Sequence, residues 1–217
     1  MKFKAIIFDL DGTLVDTLPG IAAAMNRVLA NAGLPVHETD RYRSFIGDGL
    51  ECMVKRALPP EIISSTMIRQ AIADTAMEYE RSWAEGSRLY PGTSGLLQAC
   101  AGSGMRLAIL SNKPDKPTRD MVDYFFPSNI FSHVAGAVGA IPPKPDPTGA
   151  ELTAGKLGVP CDACLFLGDM GVDMATARAA GMFPVGALWG YRSAEELMTA
   201  GAGMLVRSPA DFTAFFQ

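Results

Sequence analysis

Lys4-Ala5-Ile6-Ile7-Phe8-Asp9-Leu10-Asp11-Gly12-Thr13-Leu14-Val15-Asp16-Thr17 is the stretch on which the fold turns. Lys4 to Phe8 is a short β-branched and aromatic run that stops at an acid, the pattern of a buried strand. From Leu18 to Ala32 the apolar residues Ile21, Met25, Val28, Leu29 and Ala32 recur at helical spacing, with Pro19 near the start and Gly33 just past the end. A strand followed directly by a helix, with two carboxylates in the turn between them, suggests the first unit of an open α/β sheet.

The next stretch, His37 to Trp83, reads as helical, broken at Phe45 to Gly49 and at Pro59-Pro60, and holds no convincing strand. From Pro91 the pattern alternates. Arg106 to Leu110, Val134 to Val138, Cys164 to Leu167 and Phe183 to Ala187 read as strands. Thr93 to Ser103, Lys116 to Phe125, Pro147 to Leu157 and Val172 to Ala180 read as the helices between them. The expected architecture is a three-layer α/β/α, Rossmann-like core with a parallel sheet, built from residues 1–16 and 88–217, with a helical module over 17–87 inserted after the first strand.

The composition narrows the function classes. The 217 residues are 48% hydrophobic and 19% charged, and no run of about 18 apolar residues could span a bilayer. The amino terminus lacks the apolar length of a signal peptide, so a cytoplasmic protein is expected. A net charge of −4 without a basic stripe argues against nucleic acid as a partner. Cys161 and Cys164 form a Cys-x-x-Cys pair, but it precedes a strand and has no second pair, which disfavours redox or zinc chemistry.

Polar residues stand immediately after the apolar strands, where an open parallel sheet places its ligand crevice. Asp9 and Asp11 follow the first strand, Ser111 and Asp169 follow two others, and Lys144 lies in the loop after Val134 to Val138. Because the chain turns through Gly12 and Thr13, one carboxylate can face a reacting phosphorus while the other stands beside the leaving oxygen. Asp169 adds the negative charge that a hard cation such as Mg2+ requires. Lys144 and Ser111 can hold phosphate oxygens. Asp9 would attack in line, and Asp11 would serve as acid and then as base.

Four ordered motifs resemble the haloacid dehalogenase superfamily over the whole length of the chain. They are Asp9 to Thr17, Ser111-Asn112-Lys113, Lys144-Pro145, and Gly168-Asp169-Met170-Gly171-Val172-Asp173 followed by Ala177 to Gly181. The resemblance implies Asp9 as nucleophile and Asp11 as acid/base, with phosphate bound by Ser111, Asn112, Lys144, Gly12 and Thr13. It implies Mg2+ held by Asp9, the Asp11 carbonyl and Asp169, with Asp173 orienting the metal shell or Lys144. Met170 departs from the pattern, standing where the family usually has a small hydroxylated residue.

Asp11 argues against the dehalogenase branch, and Thr13 leans towards phosphatases over sugar phosphomutases. The insert is similar to a mobile cap domain. Its Phe45-Ile46-Gly47-Asp48-Gly49 segment is similar to the glycine-containing loop of bacterial phosphoglycolate phosphatases, and Trp189-Gly190-Tyr191 fits the same group. The cap-loop candidates are therefore Gly47, Asp48 and Gly49, with Arg41, Arg43 and Lys55 as nearby cations. The implied partner is a small phosphorylated metabolite, with 2-phosphoglycolate the first choice, acted on by a monomer or homodimer.

Blander roles compete. Asp16 and Asp146 read as turn or helix-start acids, Asp173 as a first-turn helix acid, and His37 and His133 as packed or solvated. Other haloacid dehalogenase-type transferases, such as a pyrophosphatase, nucleotidase, sugar phosphatase or phosphomutase, share the motifs. A receiver-like module would place its phosphoacceptor on a later strand, and a catalytically silent phosphate-binding protein would be expected to lose one of Asp9, Asp11, Lys144 or Asp169. A dinucleotide-binding enzyme would need a glycine-rich loop after the first strand, and none stands there.

Overall fold

The computed structural model describes residues 3–47, 49–60 and 64–216. In chain order it runs through β1 (Ala5–Phe8), β2 (Val15–Asp16), α1 (Leu18–Asn31), a 3-10 helix (Thr39–Ser44), α2 (Leu50–Ala57), α3 (Ser65–Gly86) and β3 (Arg88–Leu89). It continues through α4 (Thr93–Gly102), β4 (Arg106–Pro114), α5 (Asp115–Phe125), β5 (His133–Ala137) and α6 (Thr148–Leu157). The last elements are β6 (Cys164–Gly168), α7 (Gly171–Ala179), β7 (Phe183–Ala187), α8 (Ala194–Thr199), β8 (Met204–Val206) and α9 (Pro209–Thr213). Two compact units result, residues 1–15 with 89–217 and residues 16–88.

The first unit is built on a six-stranded sheet in the order β5-β4-β1-β6-β7-β8, with every pair parallel. Ala5, Ile7, Ala108, Leu110, Cys164 and Phe166 share one face and join a core with Ala150, Ala154, Leu157 and Ala177 of α6 and α7. The alternate residues Ile6, Phe8, Leu107, Ile109, Leu165 and Leu167 are equally buried, so both faces are covered. Continuous apolar strands are what a sheet enclosed on two sides requires.

Register explains why distant residues meet. Phe8 lies level with Ile109 of β4 and with Leu167 of β6. The three central strands therefore end together, and whatever follows Phe8, Leu110 and Gly168 shares one edge. The strand ladder reaches Asp9 itself, whose N–H donates to the Leu167 carbonyl at 2.9 Å.

Three details differ from the sequence reading. β4 continues past Leu110 to Pro114, with an irregularity that lets Pro114 rejoin β5, so Ser111, Asn112 and Lys113 are extended and not a loop. β2 and β3 form a separate two-stranded ladder of two residues each, and Val15 of β2 also bridges to Asp11. β8 and the helices α8 and α9 close the chain. At three to six residues each, they are too short for periodicity to reveal them.

The second unit is helical. α1 and α3 approach closely at Gly20 and Gly86, where a side-chain carbon on Gly86 would overlap the Gly20 backbone. The Asn26 amide brackets the main chain of His37, donating to its carbonyl at 2.8 Å and accepting from its N–H at 3.0 Å, and also accepts from the Tyr42 hydroxyl at 2.7 Å. His37 in turn contacts the Ala57 carbonyl and meets Phe45 and Tyr42 edge-on, a packed role. Gly47 and Gly49 adopt positive φ angles of 125° and 88°, which only glycine takes readily, while Asp48 lies outside the described residues. Of the cations near this segment, Lys55 pairs with Glu51, Arg43 with Asp40, and Arg41 stacks over Phe45.

Candidate active site

After Asp9 the chain closes a tight turn. The Leu14 and Val15 N–H groups both donate to the Leu10 carbonyl at 3.0 Å, and Gly12 N–H donates to the Val15 carbonyl at 2.8 Å. Gly12 has φ of +85°, and a side chain there would overlap the Asp169 carboxylate and the Tyr191 ring. Only glycine satisfies both the angle and the space. The turn separates the two acids. Asp9 faces the buried centre, whereas Asp11 reaches Lys113, whose Nζ lies 3.0 and 3.3 Å from its two carboxylate oxygens.

The centre holds three carboxylates, Asp9, Asp169 and Asp173, whose oxygens come within 4.8 Å of one another. Lys144 Nζ bridges two of them, 2.8 Å from Asp9 Oδ1 and 2.6 Å from Asp173 Oδ1. The Asp173 Oδ2 accepts the Met170 N–H at 3.0 Å, so this residue serves both as the first-turn acid of α7 and as the anchor of the lysine. Asp169 is held from both sides: Oδ1 accepts the Thr13 hydroxyl at 2.9 Å, and Oδ2 accepts the Tyr191 N–H at 2.8 Å. Asn112 does not face the carboxylates. Its amide donates to the Lys144 carbonyl at 3.0 Å and accepts the Lys144 N–H at 2.8 Å, fixing the loop that carries the lysine. Ser111 is buried, and its Oγ accepts the Lys113 N–H at 3.2 Å. Asp16 pairs with Arg88, and Asp146 accepts the Thr148 N–H, a turn-forming contact.

Three carboxylates against one ammonium leave two negative charges in excess in a buried space. Burial pushes Asp9 up to about 7; Lys144 opposes the shift, while Asp173 and Asp11 add to it. Asp169 is raised well above the ordinary carboxylate range by burial and by its neighbours Asp9 and Asp173. For Lys144, burial favours the neutral amine, but Asp173 and Asp9 outweigh it and the ammonium persists. An all-oxygen donor set with two uncompensated charges fits a hard divalent cation.

The raised carboxylates set a sign for stability. A carboxyl group whose folded value exceeds its ordinary value of 3.8 contributes stability that is complete below pH about 4 and lost as pH rises to about 7. In the presence of a chelator, the melting temperature should fall over that window more steeply than in Asp9→Asn. A divalent cation should restore more stability at pH 7.5 than at pH 5. Calorimetric melts at the two pH values check both statements.

Two groups at this edge were not assigned from the sequence. Lys113 stands in a motif that gives it no task, and because β4 is irregular between Leu110 and Pro114, alternation does not place it; its Nζ meets the Asp11 carboxylate only in the folded chain. The turn after β7 is the other. Trp189 donates its indole N–H to the Thr13 carbonyl at 2.8 Å, Tyr191 holds Asp169, and a side-chain carbon on Gly190 would overlap Asp169 and the Gly12 carbonyl. Gly190→Ala should therefore displace Asp169. The expected result is a stability loss of about 1–3 kcal/mol with weaker divalent-cation binding, read by urea unfolding and titration calorimetry.

Comparison with known proteins gives this geometry its context. The model of the haloacid dehalogenase-like hydrolase family matches residues 6–187. The chain belongs to the haloacid dehalogenase-like hydrolases. Among its relatives in that family is a protein of Yersinia pestis named phosphoglycolate phosphatase, 33% identical, with 97% of this chain and 93% of the relative covered. Another of that name, from Rhodospirillum rubrum, is 34% identical over 92% of this chain and 85% of its own length. A crystal structure described as a predicted phosphoglycolate phosphatase from Haemophilus somnus superposes with a TM-score of 0.90 at 28% identity, covering 100% of this chain and 99% of that one. As in the family's metal centre, the acids of this hydrolase cluster at the strand ends. Among the described residues, no helix is long and apolar enough to cross a membrane.

Proposed function

We propose that this hydrolase is a magnesium-dependent phosphatase of the cytoplasm that cleaves a small phosphomonoester, with 2-phosphoglycolate as its substrate and glycolate as its product. The observation that carries the reading is the cluster of Asp9, Asp169 and Asp173 around Lys144, with its excess of negative charge, and Asp11 turned from it to Lys113. The near full-length similarity to proteins named phosphoglycolate phosphatase supports the choice of substrate.

In this reading an Asp9 oxygen attacks phosphorus, the bond from phosphorus to the ester oxygen breaks, and the departing alkoxide takes a proton from Asp11. Water then attacks the aspartyl phosphate, gives its proton to the Asp11 carboxylate, and releases inorganic phosphate and free Asp9. Lys144 and Ser111 offset the charge on the phosphoryl oxygens. Asp9, Asp169 and the Asp11 carbonyl would hold magnesium, which when bound screens the repulsion between the carboxylate and the phosphate. Asp173 would keep Lys144 in place, and Gly12, Thr13 and Asn112 would shape the phosphate pocket. The helical unit with Gly47 and Gly49 would serve as the cap.

Phosphate release from phosphoglycolate, sugar phosphates, nucleotides and pyrophosphate, with and without magnesium, tests the proposal. Magnesium-dependent turnover with phosphoglycolate preferred is expected. Preference for another member would overturn the substrate, and turnover of none would overturn the phosphatase reading.

A further inference from the structure

Trp189 stands on the turn that follows β7, outside the motifs that supply the carboxylates and Lys144. An indole N–H can only donate, and this one donates to the Thr13 carbonyl at 2.8 Å, across 176 residues of chain. Thr13 is wholly buried, and its hydroxyl donates in turn to Asp169 Oδ1 at 2.9 Å. Two residues beyond the tryptophan, the Tyr191 N–H donates to Asp169 Oδ2 at 2.8 Å. One turn therefore holds Asp169 from both sides, directly through Tyr191 and by way of Thr13 through Trp189.

Those bonds fix groups that a cation would touch. The proposed magnesium ligands come from two segments, Asp9 and the Asp11 carbonyl on one side and Asp169 on the other, and Thr13 joins them. Its N–H reaches the Leu10 carbonyl at 3.3 Å, so its main chain cannot shift without moving the turn that contains Asp11. A side-chain carbon on Gly12 would overlap Asp169 and the Tyr191 ring, and one on Gly190 would overlap Asp169 and the Gly12 carbonyl, so the three segments interlock. Magnesium demands near-ideal octahedral geometry with short bonds. A hydrogen bond that fixes the spacing of its ligand segments therefore contributes to cation affinity more than to the fold.

We propose that Trp189 is a positioning residue for the divalent cation: its indole N–H locks the Thr13 turn, so that the Asp11 carbonyl and Asp169 stand at ligand spacing before the cation arrives. The assignment rests on the magnesium site of the reading above and not on the identity of the ester. It gives the turn after β7 a part in the chemistry through two hydrogen bonds in series, Trp189 to Thr13 and Thr13 to Asp169. Loosening the turn should weaken magnesium binding without abolishing it, since all the ligands remain.

Melting temperature recorded against magnesium concentration at pH 7.5 gives the dissociation constant of the cation for each variant and, in chelator, the stability without it. Trp189→Phe keeps an aromatic ring and loses the donor, and it should raise the magnesium dissociation constant about 5- to 10-fold. Trp189→His loses bulk but keeps a five-membered ring with an N–H at the corresponding position, and it should bind magnesium more tightly than Trp189→Phe. At saturating magnesium, Trp189→Phe should recover the parent kcat and KM for 2-phosphoglycolate, a split that a general loosening of the fold would not give. Where Trp189→Phe does not fold, as judged by its melting curve in chelator, Trp189→Met and Trp189→Gln, which likewise differ in a donor, replace the pair. Parent-like magnesium affinity in Trp189→Phe, or equal losses in the variants with and without a donor, would overturn the proposal. A parent that magnesium does not stabilise overturns the magnesium reading and this assignment with it. Magnesium stabilisation without turnover of any ester overturns the phosphatase reading alone, and the ratio of dissociation constants still decides the role of Trp189.

Discussion

Asp9→Asn should lower magnesium-dependent phosphate release on the order of 10⁴-fold while leaving the fold intact. The amide is a poor nucleophile, and loss of a nucleophile removes the covalent route altogether. The same substitution should not destabilise the metal-free protein near neutral pH. Burial already disfavours the ionised Asp9, whose value stands at about 7, and Asp173 remains as the partner of Lys144. A variant that is inactive yet melts at or above the parent temperature in chelator at pH 7.5 separates lost chemistry from lost structure. Activity within tenfold of the parent would remove Asp9 from the mechanism.

Lys144→Met carries the opposite signature, with stability and activity lost together. The lysine is 4% exposed in its side chain and provides the positive charge that touches Asp9 and Asp173. Removing one partner of a buried ion pair strands the others, at a cost of about 3–5 kcal/mol. The loss should be largest at pH 7.5 without metal and smaller at pH 5, where the stranded carboxyl groups take up protons. Urea unfolding at the two pH values measures it. Lys144→Arg keeps the charge in a slot shaped for an ammonium, and it should recover more stability than turnover.

Much of this was legible in the sequence. The strand before Asp9, the helix from Leu18 and the alternation after Pro91 were visible because a sheet buried on both faces needs uninterrupted apolar strands. Asp9, Asp11, Lys144, Asp169 and Asp173 were legible because each sits in a motif at the end of such a strand or in the loop or helix start that follows it. The short strand β8 was not legible, since three residues at the sheet edge carry no period and only their pairing with β7 defines them. Nor were the partners of the site residues. The bonds from the Asn112 side chain to the Lys144 main chain and from Thr13 to Asp169 join segments far apart in the chain, which no local pattern records.

The sequence by itself determined the α/β class, the helical insertion and the identity of the acids and of Lys144, because apolar period and residue chemistry are local properties. Only the tertiary structure decided that Lys144 bridges Asp9 to Asp173, that Lys113 turns to Asp11, and that Trp189 reaches Thr13 from 176 residues away. Those choices depend on parallel register, which brings separate strand ends level, and on the need to neutralise charge wherever burial has removed water.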